Sequence, residues 1–183
     1  MSDQADRYRR IAAGFTRRVE AVPAQAWDAP APCEGWVARD VVRHLVEWLP
    51  GFFVERWGLD AAPIPSVDDD PAAAWAALDA LLRTALADPA VADAERDTPM
   101  GRNSFAATLD MIGTTDVFLH TWDLARATGG DERLDPDEVH RLYEGMLPLD
   151  EMLRTSGHYG PRVPVPDDVD EQTKLLAFIG RTP

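Results

Sequence analysis

The chain has 183 residues, 45% of them hydrophobic, and a formal net charge of −14 from 18 basic and 32 acidic side chains. A chain of this length buries roughly 70% of the surface its unfolded form exposes, so one domain over residues 1–183 with a real core is the expectation. The acidic balance, with a pI of 4.5, excludes nucleic acid and disfavours anionic membrane surfaces, because little positive charge is available to neutralise phosphates.

No apolar run reaches the ~18 residues of a membrane span. The opening MSDQADRYRR has no apolar signal-peptide core. The single cysteine, Cys33, excludes an intramolecular disulfide, which fits a reducing cytoplasm.

Residues 3–21 place Ile11, Phe15 and Val19 at four-residue spacing among charges, an amphipathic helix. VPAQAWDAPAPCEGW follows as a loop punctuated by prolines and glycine. A second helix over about 37–57 is expected to carry Val41, Leu45, Trp48 and Phe52 on its apolar face, kinked by Pro50. After the loop DAAPIPSVDDDP, Asp70 can cap a third helix from Pro71 to about Leu86, with proline at its favoured first position.

ADPAVADAERDTPMGRNSF reads as a polar connector. A fourth helix runs from near Ser104 to Thr128, and a fifth from Asp135-Pro136 to about Thr155. SGHYGPRVPVPDD is extended, and the tail forms a last short helix buried through Leu175, Leu176 and Ile179. Strand patterns are nearly absent. The pattern predicts an all-α protein, a helical bundle with an additional short helix and loops.

Metal and cofactor sites in bundles are made by side chains projecting inward from facing helices. Asp116 and His120 lie at i and i+4 on the fourth helix, a spacing at which two ligands converge, and His44 lies at the edge of the second helix's apolar face. Two imidazoles and a carboxylate suit zinc, nickel or iron(II), with positions left for water or substrate. Spacing leaves the alternatives open: a hydrogen-bonded core histidine, a boundary histidine at position 44, and an Asp116 carboxylate paired with an arginine. Asp123, three residues after His120, competes with Asp116 as a ligand. Arg126 stands at i+3 from Asp123, which favours a supporting or structural use of that acid.

PCEGWVARDVVRHLVEW, FLHTWDLARATG and LLAFIGRTP, in this order along the chain, resemble the DinB/YfiT-like superfamily. The resemblance points to its actinobacterial branch, related to the N-terminal domain of mycothiol-dependent maleylpyruvate isomerase. It implies a DinB/YfiT-like four-helix bundle that holds one divalent metal, zinc first and nickel second. The implied ligands are His44 from the second helix and the pair Asp116 and His120. Three departures stand out. Val37 occupies the helix start where the family usually has Ser or Thr. Asp116 replaces the longer Glu of the isomerase. A C-terminal domain found in that isomerase has no counterpart here.

With the resemblance, the expected function is a metal-dependent enzyme using a low-molecular-weight thiol, mycothiol, for transfer, conjugation or isomerisation of a small electrophile. The catalytic nucleophile is then a metal-bound thiol or water rather than a protein side chain. The alternatives are a metal-dependent hydrolase and a non-enzymatic metal- or ligand-binding bundle. The expected partners are the substrate and the thiol, with homodimer formation left open.

Cys33, in a proline-rich loop with no base beside it in sequence, reads as a small buried thiol. Trp36, Trp48 and Trp122 read as core or pocket wall. His158 is a candidate for the site mouth and His140 is expected to face solvent. Arg102, Arg126 and Arg162 are candidates for binding an anion, with surface salt bridging as the alternative for each.

Overall fold

The computed structural model describes residues 3–157 and 159–183. Contacts cluster into two compact units, one ending at Asp131 and one beginning at Glu132.

Four long helices frame the first unit. Helix α1 (Asp3–Ala21) buries Tyr8, Ile11, Ala12, Phe15 and Val19, a stripe at helical spacing. Helix α2 (Ala38–Trp57) runs through Pro50 without interruption. Helix α3 (Pro71–Ala87) starts as the sequence signals: the Asp70 carboxylate accepts from the Ala73 amide at 2.9 Å, and Pro71 opens the first turn. After α4 (Pro89–Ala92) and the strands β1 (Glu95–Thr98) and β2 (Gly101–Ser104), the chain enters α5 (Phe105–Thr108) and finally α6 (Thr115–Thr128). Helices α1 and α2 each pack against both α3 and α6. That closed ring of four neighbours is the all-α, DinB-like bundle expected, and its interior holds Leu45, Leu49, Phe53, Trp75, Leu78, Phe105 and Trp122. No helix among the described residues is long and apolar enough to cross a membrane.

Four local expectations are corrected. The connector after α3 is not irregular throughout: β1 and β2 pair antiparallel with Glu95 opposite Ser104 and Thr98 opposite Gly101. Gly101, at φ 95°, takes the left-handed turn position that residues with a Cβ avoid. ERDT and GRNS have no apolar alternation, so the hairpin leaves no periodic signal.

The core face of α2 is Leu45, Leu49 and Phe53, whereas Trp48 and Phe52 are only half-buried. The apolar stripe of four therefore lies one residue away from where its aromatic half was expected.

The fourth helix is also divided. Ser104 caps it, its hydroxyl accepting from the Ala107 amide at 3.2 Å. Leu109–Thr114 then widens into a π-helical segment. Gly113 lets the Leu109 and Leu49 side chains approach closely there, since a Cβ would stand 2.6 and 2.9 Å from their methyls. Arg7 ties the wide turn to α1, donating to the Asp110 carbonyl at 2.8 Å and its carboxylate at 2.7 Å. Thr108, Thr121 and Thr128 each bond the carbonyl four residues back at 2.8 Å. The Thr114 hydroxyl, by contrast, is buried without a partner, and Arg7 bonds the Asp110 carbonyl four residues before it. Wide turns of this kind occur often beside functional sites, and Asp116 lies in the first α turn after it.

The second unit carries α7 (Pro136–Met146), α8 (Asp150–Thr155) and α9 (Glu171–Phe178), with α7 packed on α9. The expected fifth helix is thus broken at Leu147–Leu149, a tighter turn containing Pro148, which has no amide to continue the α pattern. Leu175, Leu176 and Ile179 are buried as expected. His158 lies outside the described residues.

Candidate metal centre

Two helices and one loop make the site. Helix α2 begins without a capping side chain at Val37. The Asp40 carboxylate replaces it from the third helical position, accepting from the Val37 amide at 2.9 Å. One turn on, His44 points at α6. There, Asp116 and His120 project from successive turns, as their spacing demands.

His44 Nε2 stands 3.0 Å from Asp116 Oδ2, and His120 Nε2 stands 3.4 Å from Asp116 Oδ1. The two imidazole centroids are 4.8 Å apart. Ligand atoms of all three residues lie within 4.8 Å of one another, a set able to hold a metal ion. Side-chain exposure grades from 32% at His44 and 25% at Asp116 to 7% at His120, so the cluster opens toward solvent on the α2 side.

The opposite edge of the His120 ring answers which acid goes with which nitrogen. His120 Nδ1 is 2.8 Å from Asp123 Oδ2, and Asp123 is fully buried. A hydrogen bond from Nδ1–H to this carboxylate leaves Nε2 to face Asp116 and His44, the arrangement that orients a metal-binding histidine. Asp123 therefore supports the ring and Asp116 faces the open side. The Trp48 indole N–H donates to Asp116 Oδ2 at 2.8 Å and fixes the carboxylate's rotation.

Electrostatics follow from this packing. Burial by itself raises the Asp116 pKa, but the charge of His120 and hydrogen bonds from His120 and His44 outweigh it and hold the carboxyl far below the usual range. Burial by itself lowers the His120 pKa. The charge of Asp116, with hydrogen bonds to Asp116, Asp123 and Cys33, reverses this and raises it well above the ordinary imidazole value.

The loop before α2 closes the site. It folds back on itself through Ala31 N to Trp36 O at 2.9 Å and Trp36 N to Cys33 O at 3.1 Å, with Gly35 at φ 76°. That places the Trp36 ring nearly parallel to His120, centroids 5.8 Å apart, and 5.2 Å from His44. It also corrects the reading of Cys33. The thiol is half-buried rather than buried, and it does have a base beside it: Sγ lies 3.6 Å from Asp123 Oδ2. This meeting spans ninety residues of sequence, so no local pattern signals it. Cys33, Asp123 and His120 form a second group of metal-type donors, but it shares the one imidazole, whose Nδ1 is already engaged by Asp123.

The remaining candidates fall elsewhere. Trp122 is core. Arg126 stands over the Trp122 ring at 5.2 Å. Arg102 pairs with Glu95 and Asp97 on the hairpin, and Arg162 with Asp150 in the second unit. His140 is exposed and meets Glu171.

Two imidazoles, a carboxylate and a carboxylate behind one ring are a donor set that a borderline divalent metal such as zinc or nickel fits. Two uncharacterized proteins of Mycobacterium tuberculosis, from the CDC 1551 / Oshkosh and H37Rv strains, are each 30% identical to the chain over 177 residues, covering 96% of this chain and 96% of theirs. No solved structure matches it. Residues 8–125, which include His44, Asp116, His120 and Asp123, match the family described as mycothiol maleylpyruvate isomerase N-terminal domain, and the chain belongs to that family.

Proposed function

We propose that the protein is a divalent-metal-dependent enzyme that uses a low-molecular-weight thiol, mycothiol, to transfer, conjugate or isomerise a small electrophilic substrate. The observation that carries this reading is the convergence of His44 Nε2, His120 Nε2 and the Asp116 carboxylate at a half-open corner of the bundle. His44, Asp116 and His120 would hold the metal, zinc first and nickel as the alternative. A divalent cation with an open position lowers the pKa of a thiol or water and so supplies a nucleophile at neutral pH.

The chain's own groups do the rest. Asp123 keeps the proton on His120 Nδ1 and thereby directs Nε2 outward. Trp48 holds the Asp116 carboxylate in place. Trp36 covers both imidazoles and restricts water on that side. Three donors, where a structural zinc site has four, favour a catalytic over a purely structural use. A reducing cytoplasm, which keeps both Cys33 and the thiol reduced, is the proposed setting.

Elemental analysis should find about one metal per chain after reconstitution, lost in His44→Ala and His120→Ala. Calorimetry of the metal-loaded protein with mycothiol, in two buffers of different ionisation enthalpy, should show release of about one proton per thiol bound. Cys33→Ser should leave that release intact. Substoichiometric metal, or no metal-dependent thiol heat, overturns the reading; metal-dependent ester cleavage without thiol would replace it with the hydrolase.

A further inference from the structure

Helix α2 carries a row of side chains that starts in the metal site and continues beyond it through Phe52 and Arg56. His44, Trp48, Phe52 and Arg56 follow at four-residue intervals, the spacing at which helical side chains touch. Ring centroids are 6.1 Å apart from His44 to Trp48 and 6.2 Å from Trp48 to Phe52, and the Arg56 guanidinium stands 4.1 Å from the Phe52 centroid. All four are half-buried, while Leu45, Leu49 and Phe53 fill the core beside them. The helix thus spends two large aromatics on a partly wet face that begins at the metal cluster.

Arg56 ends the row with charge to spare. Its Nη1 donates to the Phe52 carbonyl at 2.7 Å, and among the described residues no carboxylate lies within ion-pair distance of it. In the same unit Arg7, Arg39, Arg43 and Arg83 each have an acid, at 2.7, 2.9, 2.6 and 2.7 Å. With 32 acidic residues against 18 basic ones, a half-buried guanidinium left without a carboxylate is free to take one from a ligand.

We propose that this row is a ligand track for an elongated organic acid. Its reacting end meets His44, Asp116 and His120, its apolar body lies over Trp48 and Phe52, and its carboxylate is held by Arg56. Twelve residues of helix rise about 18 Å, and Arg56 reaches back toward Phe52, so the ligand spans about 15 Å. This inference rests on the metal-centred reading above.

The probes are ω-mercaptoundecanoate and its neutral counterpart ω-mercaptoundecanol, which share a thiol and a chain length and differ only in the distal charge. Titrated into metal-loaded protein and followed by calorimetry, the acid should bind about tenfold more tightly than the alcohol. The short mercaptopropionate, unable to reach Arg56, should lack that advantage. Arg56→Gln should erase the preference and Arg56→Lys should keep part of it, both with unchanged metal stoichiometry and Tm. Phe52→Ser should weaken both long thiols several-fold. Equal binding of acid and alcohol, or a preference that survives Arg56→Gln, overturns the track while thiol binding at the metal stands. If no thiol binds in a metal-dependent way, the metal-centred reading falls and the track with it.

Discussion

Two histidines of this protein meet carboxylates at nearly the same distance, one inside the bundle and one on the surface of the C-terminal unit. His120 Nδ1 is 2.8 Å from Asp123 and His140 Nδ1 is 3.0 Å from Glu171. Side-chain exposure separates them: 7% and 1% in the first pair, 63% and 45% in the second. Both imidazoles have raised pKa values, His120 against the penalty of burial and His140 through its hydrogen bond to Glu171. Contact geometry therefore does not make a site. On the surface, water and salt compete for both partners and the pair holds little in place. In the interior a carboxylate has no water to turn to, so Asp123 fixes one edge of the His120 ring and commits the other edge to Asp116 and His44.

The comparison breaks first at Asp116. Asp116→Asn should lower metal affinity by more than about 100-fold, because the substitution removes the charged donor between the two imidazoles; competition titration with a chelating dye measures it. Metal removal is next. With free metal at about 100 times its Kd, the loaded protein should be more stable by about 2.7 kcal/mol, read as a Tm that falls on chelation and recovers on reloading. Asp123→Asn should cost about tenfold in metal affinity and about 1–3 kcal/mol in stability, since a buried partner of the ring is weakened. A larger affinity loss at Asp123 than at Asp116 would mean that the acids had been assigned to the wrong edges.

The metal-free protein should show a pH plateau set by the same pair. The folded pKa of Asp116 is depressed, so its contribution is present above the ordinary carboxylate pKa of about 4 and is lost as pH falls toward the folded value. The folded pKa of His120 is raised, so its contribution is fully present below about 6.5 and is lost as pH rises through the folded value. Tm should be highest between these limits and fall on both sides, and Asp116→Asn should remove the plateau. Its absence in the metal-free wild type would refute the buried ion pair. The smallest effect belongs to the surface: His140→Ala should leave Tm and metal uptake within experimental scatter.

Much of the scaffold was legible because its signals are local. Asp70-Pro71, Ser104 and Asp135-Pro136 mark helix starts through side chains that bond amides two or three residues away. Ile11, Phe15 and Val19 mark a buried face through helical periodicity alone. The same periodicity misassigned Trp48 and Phe52, since an aromatic ring satisfies an apolar stripe equally well in a core or on a half-buried face. The hairpin of β1 and β2 was invisible because its strands bury nothing that alternates.

What the amino-acid order determined by itself is the class of fold and the convergence of Asp116 with His120, because both follow from a repeat of 3.6 residues per turn. The tertiary structure brings in the rest of the site, of which the sequence had implied only His44, through the family resemblance. His44 reaches Asp116 across 72 residues, Trp48 across 68 and Cys33 reaches Asp123 across 90. Such meetings depend on which helices pack and on the rotation of each about its axis. In this chain Leu49 packs close against Gly113, and Arg7 ties the wide turn at Asp110 to α1. A side chain's neighbours along the helix are written in its own few turns, whereas its neighbours across the bundle are settled only when the apolar faces of the whole chain find their mutual packing.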